Sequence, residues 1–129
     1  RAWGFIADLE RSVPTFDRDV ARLRVTGRRG THLQARATSS WRHGRLPLDF
    51  EVDLEPGWCW MVSRPRLYVV GMAAAPLPGD PERTHYLHME GVPFAGRVLG
   101  PVARATRVRH RRHVAADVDG IERALASEP

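Results

Sequence analysis

The apolar residues in the last third of the chain recur with the period of an α-helix. Val114, Val118, Ile121 and Leu125 are separated by four, three and four positions, which places them on one stripe of a helix with 3.6 residues per turn. The stripe predicts a helix over residues 98–126. Such a helix is long enough to cross a whole small domain, so the rest of the chain should pack against it.

The first half of this predicted helix has a polar inner side. With the same period, the stripe continues backwards through His110, Arg107 and Ala103. The apolar end of such a helix packs on the hydrophobic core, and its polar end faces a cavity. We therefore expect these three residues to face a cavity.

The middle of the chain alternates polar and apolar residues, which is typical of half-buried β-strands. Residues 46–54 alternate most clearly and predict five inward side chains: Leu46, Leu48, Phe50, Val52 and Leu54. Shorter runs predict further strands at residues 22–26, 31–41, 58–63, 66–75 and 83–90. Short turns rich in glycine and proline join these strands. This favours an antiparallel sheet with one solvent-exposed face and one face covered by the long helix.

Two short helices are predicted before the sheet. Residues 2–11 carry apolar side chains at helical spacing and end before Pro14, which we expect to break the helix. Thr15 is a candidate N-cap for a second short helix over residues 15–20, with Asp17 in its first turn.

The last predicted strand has two possible inward faces. Thr84, Tyr86, His88 and Glu90 share one face, and His85, Leu87 and Met89 share the other. If the Tyr86 face points inward, its polar residues meet His110 and Arg107 and give the cavity a polar end. The other face is more apolar and suits a sheet core equally well, and periodicity does not choose between them.

Composition limits the class of protein. A chain of 129 residues fits one domain, residues 1–129. The net charge of +5 comes from 20 arginines without any lysine, so charge alone is weak evidence for a nucleic-acid partner, and we rank such a partner last. Cys59 is the single cysteine, which favours a reducing cytoplasm. No apolar run reaches about 18 residues, so we expect no membrane span.

The sequence offers no complete metal site and no assigned catalytic residue. His110 and His113 lie three apart on the helix, with Asp117 as the only carboxylate at a matching helical position beside them. His85 and His88 lie on opposite faces of a strand. We therefore expect no metal and no cofactor. Cys59 lies between two tryptophans and is expected to be a packed residue rather than a nucleophile.

Binding of a ligand is the chemistry that the residues favour. Aromatic and flexible side chains in the strands suit a flat or apolar ligand. With the polar candidates, they give the predicted ligand-binding residues: Trp58, Trp60, Tyr68, Val70, Met72, Tyr86, His88, Ala103, Arg107 and His110.

The order of elements resembles that of the START-like superfamily, also called SRPBCC, and within it the polyketide cyclase/dehydrase and lipid-transport group. These residues and stretches carry the resemblance: Trp3, Asp8, Pro14, Phe16, Gly30, the Glu55-Pro56 turn and the ending from His110 to Leu125. The resemblance implies an α+β helix-grip fold, like that of START and Bet v 1 proteins, in which a curved antiparallel sheet wraps a long C-terminal helix. Proteins of this shape usually have a strand before the first helix. Here it either lies upstream of residue 1 or is missing.

Three functions follow from the residues and the resemblance. The first is binding or transport of a hydrophobic small molecule, such as a lipid, isoprenoid or polyketide, in a cavity between sheet and helix. The second is an aromatase/cyclase-type enzyme, which needs two or more titratable groups converging in that cavity. The third is an interaction module that presents the arginine-rich helix face to RNA or an acidic protein. The sequence leaves the oligomeric state open between monomer and dimer.

Overall fold

Six strands form one antiparallel sheet in which each strand pairs with its neighbour in the chain. The computed structural model describes residues 1–40, 46–66, 68–91 and 100–127, with side chains from residue 107 onwards in the last range. The strands are β1 (Val20–Arg29), β2 (His32–Ser39), β3 (Pro47–Glu55), β4 (Trp58–Arg64), β5 (Val69–Leu77) and β6 (Asp80–Gly91). The helices are α1 (Ala2–Ala7), α2 (Leu9–Phe16) and α3 (Gly100–Ser127).

The sheet is curved and does not close, so β1 and β6 are its two edges. Two-residue turns connect β1 to β2, β3 to β4 and β5 to β6. Gly57, between β3 and β4, has a φ of 89°, which a residue without a Cβ adopts at little cost. The pairing of β1 with β2 shifts register after Val20 and after Val25. Irregularities of this kind bend a strand and increase its local twist.

The two short helices cover the inner face of the sheet. Phe5 and Ile6 of α1 and Leu9, Val13 and Phe16 of α2 are buried in one apolar core. From the sheet, this core takes alternate residues of consecutive strands: Leu23, Leu33, Ala35, Ala37, Phe50, Val52, Cys59, Met61, Met72 and Ala74. We call this assembly the apolar layer. The predicted period-two alternation is what directs these side chains to one face.

The long helix α3 lies beside the short ones, where its main contacts among the described residues are with α2 and β6. Ile121 joins the buried core. Gly120 allows a close approach to α2, because a Cβ at this position would lie 3.0 Å from the Cα and the carbonyl oxygen of Phe16. The close contact between α2 and α3 thus depends on glycine at position 120, which has no side chain.

The expected α+β class and the order of its elements are confirmed, and the architecture is compatible with a helix-grip fold. None of the described helices is long and apolar enough to span a membrane.

The predicted helix break at Pro14 is wrong. The break falls at Asp8, and Pro14 lies inside α2. Thr15 is in the last turn, where its hydroxyl donates to the carbonyl of Arg11 at 2.7 Å, so it is not an N-cap. Proline removes one backbone hydrogen bond here, and the buried side chains of Leu9, Val13 and Phe16 keep the helix in place.

The inward stripe of β3 is shorter than expected. Phe50 and Val52 are buried, but Leu46 is 62% exposed and Leu48 is 38% exposed. The alternation is correct, yet the covering helices do not reach this end of the strand. Trp41, the last residue of the predicted strand over residues 31–41, lies outside the described residues.

Candidate functional site

The inner face of β6 carries Tyr86, His88 and Glu90. Leu87 and Met89 point to the other side of the sheet and are 63% and 41% exposed, whereas the side chains of His88 and Glu90 are 1% and 2% exposed. The structure therefore decides the question that periodicity left open. The polar face of this edge strand points inward.

Helix α3 places His110, His113 and Asp117 opposite that face. His113 and Asp117 are four positions apart and point the same way, and the Asp117 side chain is only 1% exposed. Val114 and Val118, which were predicted to face inward, are only partly buried. The buried residues of the helix are Asp117, Gly120 and Ile121, so the inner side includes Ile121 of the predicted stripe together with two positions next to that stripe.

Asp17 enters the same region from the end of α2. Its backbone is the C-cap of that helix, and its carboxylate oxygen Oδ1 accepts a hydrogen bond from the backbone N–H of Asp19 at 2.8 Å. This hydrogen bond holds the carboxylate at the turn between α2 and β1. Three distant parts of the chain therefore meet at one place.

The side chains that meet here form what we call the polar cluster: Asp17, His88, Glu90, His110, His113 and Asp117. The Nε2 atom of His113 lies at its centre, 3.4 Å from Asp117 Oδ2, 3.5 Å from Glu90 Oε1 and 3.8 Å from Asp17 Oδ1. His110 Nε2 lies 3.6 Å from Glu90 Oε2. Acidic groups and imidazoles thus alternate around a common centre.

A hydrogen-bonded chain connects β6 to this centre. His88 Nε2 is 3.2 Å from Glu90 Oε1, and His88 Nδ1 is 2.8 Å from the hydroxyl of Tyr86. An ionised carboxylate only accepts hydrogen bonds, so Nε2 carries the hydrogen and Nδ1 accepts one from Tyr86. The hydroxyl of Tyr68 donates a further hydrogen bond to Glu90.

The environment pushes the pKa values of two neighbouring carboxyls in opposite directions. Burial alone would raise the pKa of Glu90, but hydrogen bonds from His88 and Tyr68 and the nearby imidazole of His113 outweigh it and hold this pKa below its usual value. Burial, reinforced by the carboxylates of Asp17 and Glu90, raises the pKa of Asp117 to about 8. Glu90 is thus ionised at neutral pH, and Asp117 retains a proton.

Other pKa shifts around the cluster also follow from burial. Burial raises the pKa of Asp17, although the backbone N–H of Asp19 and the imidazole of His113 oppose the shift. Burial raises the pKa values of the Tyr68 and Tyr86 hydroxyls, with a contribution from the carboxylates that face them. Both tyrosines remain protonated donors.

Three buried polar atoms of the cluster have no hydrogen-bond partner among the residues that the structure describes: Glu90 Oε2, His110 Nε2 and Asp117 Oδ2. Two ionised carboxylates cannot hydrogen-bond to each other, because each of them only accepts. With both carboxyls ionised, two buried oxygens lack compensation, which is costly in a site closed to water. The cluster therefore has unused capacity for a proton, a cation or a polar group.

Four predicted site residues belong to the wall around the cluster. Tyr68, Val70 and Tyr86 are partly buried against the core, and Met72 is buried within it. Met72 pairs with His88 across the sheet, and Val70 pairs with Glu90. The ring of Tyr68 contacts that of His110 edge to face, with centroids 6.2 Å apart. His88 and His110 belong to the cluster itself, so six of the predicted residues are brought together.

Three other predicted positions are wrong. Trp58 and Trp60 are 45% and 36% exposed on the outer face, because Cys59 and Met61 take the inward positions of β4. Arg107 is exposed on α3, and His110 is the first residue that is not exposed in the part of the helix whose side chains are described. Ala103 lies in the part of α3 whose side chains are not described.

Asp17, His113 and Asp117 were absent from the predicted binding residues, as was Glu90. Asp117 left a signal in the sequence, because it lies one turn after His113 close to an apolar stripe. Asp17 left none, since only the fold brings the end of α2 next to α3.

The thiol of Cys59 takes no part in the site. It is buried in the apolar layer, and burial raises its pKa to about 12. A thiol in this state is neither a nucleophile nor a metal ligand at neutral pH. The expectation of a packed cysteine is confirmed.

A concave region lies at the other end of α2, away from the polar cluster. It has a volume of about 280 Å³ and opens where α1 meets α2 over β1, β2 and β3. Val25, Leu33 and Leu54 form its apolar wall, with Glu10 and Arg28 at its rim. The Glu10 carboxylate is already engaged, because it accepts a hydrogen bond from the backbone N–H of Val25 at 2.7 Å.

Comparison of the chain with protein-family models, with curated proteins and with solved structures found no match.

Proposed function

We propose that this chain binds a small molecule that has an apolar body and one polar end, held between the inner sheet face and α3. The observation that carries the proposal is the position of the three unpartnered atoms. Glu90 Oε2, His110 Nε2 and Asp117 Oδ2 lie in one cluster beside an apolar wall. A hydroxyl, amine or carbonyl of a ligand would satisfy them, while the wall would hold its body.

The resemblance to the START-like superfamily supports the same proposal and narrows the ligand to a lipid, isoprenoid or polyketide. Tyr68, Val70 and Met72 supply aromatic, branched and flexible surfaces next to the cluster. Side chains of these kinds adapt to a flat or elongated apolar molecule. Glu90 provides a fixed acceptor, because its carboxylate is ionised at neutral pH.

The first experiment is native mass spectrometry of the gently purified protein, followed by extraction and identification of what co-purifies. The second is titration with 1-aminoanthracene, a neutral fluorophore whose amine donates hydrogen bonds, in buffer containing EDTA. We expect one molecule bound per chain. Glu90→Gln should weaken its binding about tenfold, because a charge-assisted hydrogen bond to the amine is lost. Glu82→Gln on the exposed end of β6 is the matched control and should not change it.

Two results would contradict the proposal. One is a purified protein that carries no small molecule and also fails to take up the fluorophore. The other is equal weakening by Glu90→Gln and Glu82→Gln, since binding would then not involve the cluster.

An enzyme of the cyclase/dehydratase type is a second candidate, and the Tyr86, His88 and Glu90 chain favours it. Such an enzyme needs several titratable groups that converge on a substrate, and this chain links three by hydrogen bonds. Because Nε2 of His88 carries the hydrogen and Nδ1 accepts from Tyr86, a proton taken from a carbon next to a carbonyl would pass to the Tyr86 oxygen while the Tyr86 hydroxyl proton moves to Nδ1. The Glu90 carboxylate would stabilise the resulting imidazolium.

The enzyme candidate is tested by proton exchange in D₂O. A panel of β-ketoacyl thioesters is incubated with the protein, and loss of the α-proton signal is followed by NMR. We expect exchange with the wild type, loss with His88→Gln, and retention with His85→Gln on the exposed face of the same strand. Absence of exchange with the wild type across the panel would exclude this activity for these substrates and leave the binding proposal in place.

A further inference from the structure

We propose that Asp17, Glu90, His113 and Asp117 bind one divalent transition-metal ion. Their donor atoms, three carboxylate oxygens and one imidazole nitrogen, all lie within 4.8 Å of one another. This inference goes beyond the proposed function and stands without it, because it rests on the arrangement of the ligands and not on a small molecule.

The distances match a coordination shell. Donor atoms bound at about 2.1 Å to one tetrahedral ion lie about 3.4 Å from each other. His113 Nε2 is 3.4 Å from Asp117 Oδ2, 3.5 Å from Glu90 Oε1 and 3.8 Å from Asp17 Oδ1. The donor–donor distances overall are at most 4.8 Å, so side-chain movements that shorten the longest of them by up to about 1.4 Å would bring all four donors to bonding distance of one ion.

The buried charge supplies an independent reason. Glu90 and Asp117 are 2% and 1% exposed, and each has a carboxylate oxygen without a hydrogen-bond partner among the described residues. The groups that face them are the imidazoles of His88, His110 and His113. A divalent ion would place two positive charges directly beside the buried carboxylates and would supply a partner for their free oxygens.

Part of the second layer of contacts that an ion needs is present. The other ring nitrogen of His113, Nδ1, lies 3.8 Å from a carboxylate oxygen of Asp19. This distance is longer than a hydrogen bond, and a small rotation of the Asp19 side chain would let its carboxylate accept one from Nδ1, as outer carboxylates do when they orient a histidine ligand. His88 and Tyr68 hold the Glu90 carboxylate in the same way, and the Asp19 backbone holds that of Asp17.

The donor set indicates the class of metal. Imidazole together with carboxylates suits Mn²⁺, Fe²⁺, Co²⁺ and Zn²⁺, whereas Mg²⁺ and Ca²⁺ prefer oxygen donors alone. No thiolate is near, which removes the preference for soft ions, since Cys59 is buried in the apolar layer. We therefore expect Zn²⁺ and Co²⁺ to bind much more tightly than Mg²⁺.

The ion would connect three elements of the fold. Its ligands come from the α2–β1 turn, from β6 and from α3, and these elements are far apart in the chain. An ion that binds only when they are together stabilises the folded state. Metal binding should therefore raise the melting temperature as well as produce a heat of binding.

The test uses the full chain, stripped with EDTA, with Zn²⁺ and Co²⁺ as probes. Calorimetry should give one tight site per chain, and Co²⁺ should give visible absorption typical of four or five ligands. Asp117→Asn and His113→Gln should each weaken binding at least about 100-fold and abolish the rise in melting temperature. Asp119→Asn, exposed on the same helix, and His85→Gln are the matched controls and should bind like the wild type.

Mn²⁺ provides a second readout that locates the ion. Its paramagnetism should broaden the backbone NMR signals around residues 17, 90, 113 and 117, and circular dichroism shows whether each variant is folded. The inference is overturned if Zn²⁺ binding is equal in the wild type and in folded Asp117→Asn, or if Mn²⁺ broadens signals elsewhere. Because 1-aminoanthracene is titrated in EDTA, its binding would be unaffected by either outcome.

Discussion

The apolar layer and the polar cluster are both buried, and they are stabilised in different ways. In the apolar layer, α1 and α2 press branched and aromatic side chains onto alternate residues of the sheet, and burial of apolar area stabilises each of them. In the polar cluster, burial raises the free energy of every ionised group, which must then be offset by a neighbour. The comparison shows that one region contributes most of the stability and the other retains reactive groups at a cost in stability.

The largest expected effect is in the apolar layer. Ile6 is fully buried there, so Ile6→Ala removes packed methyl groups and leaves a cavity. We expect the free energy of unfolding to fall by about 3 kcal/mol. Denaturant titration measures it. A loss below about 1 kcal/mol would mean that the layer is loosely packed, and the contrast between the two regions would then disappear.

The next effect tests the contact between α2 and α3. Gly120→Ala would place a methyl group 3.0 Å from the Phe16 backbone, so α3 must shift. We expect a loss of about 2 kcal/mol in the free energy of unfolding. Gly4→Ala is the control, because its new Cβ meets nothing within 4 Å and alanine favours a helix. Equal stability of both variants would contradict the close approach of the helices.

In the polar cluster we expect a substitution to increase the free energy of unfolding, by a smaller amount. The folded-state pKa of Asp117 is raised to about 8 from 3.8, so the folded protein holds a proton that the unfolded chain releases. The stabilisation from this proton is complete below about pH 4 and is lost as the pH rises to about 8, with a slope of at most about 1.4 kcal/mol per pH unit.

Asparagine does not titrate, so Asp117→Asn should flatten this slope and stabilise the metal-free protein at pH 8 by roughly 1–2 kcal/mol. Thermal melts in EDTA from pH 5 to pH 9 measure the change. If the variant were less stable than the wild type at pH 8, Asp117 would contribute stability to the cluster instead of reducing it.

The smallest effect is on the outer face of the sheet. Leu87→Ala removes the same kind of side chain as Ile6→Ala, from a position that is 63% exposed. The free energy of unfolding should change by less than about 0.5 kcal/mol. A larger loss in dilute solution would show that this face is covered in the native protein.

The sequence predicted what depends on local pattern. Period-two alternation identified the strands, and the inward positions of Leu33, Ala35, Phe50 and Val52 agree with it. The helical stripe in the last third identified α3 to within two residues. These features depend on neighbours in the chain, because side chains return to the same face every second residue in a strand and every 3.6 residues in a helix.

The errors arose where pattern competes with the surroundings. Trp58 and Trp60 were assigned to the interior because they are large and apolar, but Cys59 and Met61 occupy the inner face of the same strand. Pro14 was expected to end a helix, but the buried side chains of α2 on both sides of it hold that helix together. In both cases, packing against other elements outweighed the local preference of the residue.

The polar cluster was only partly predictable. One of the two alternatives for β6 placed Tyr86, His88 and Glu90 near His110, and that alternative is the one observed. The metal expectation considered residues on α3 and β6 separately. Asp17 joins His113 only through the docking of α2 against α3, and no spacing along the chain reports such a meeting.

The connectivity of the sheet also has a consequence for the order of folding. Every strand pairs with the strand that comes just before or after it, so the sheet can grow hairpin by hairpin with short loops to close. The polar cluster cannot form in this stepwise way, because Asp17 and His113 come from opposite ends of the chain. We expect the sheet to form early and the ionisable groups to come together last, when α3 docks. A chain that stops folding before that step would have nearly complete β-structure but no assembled polar cluster.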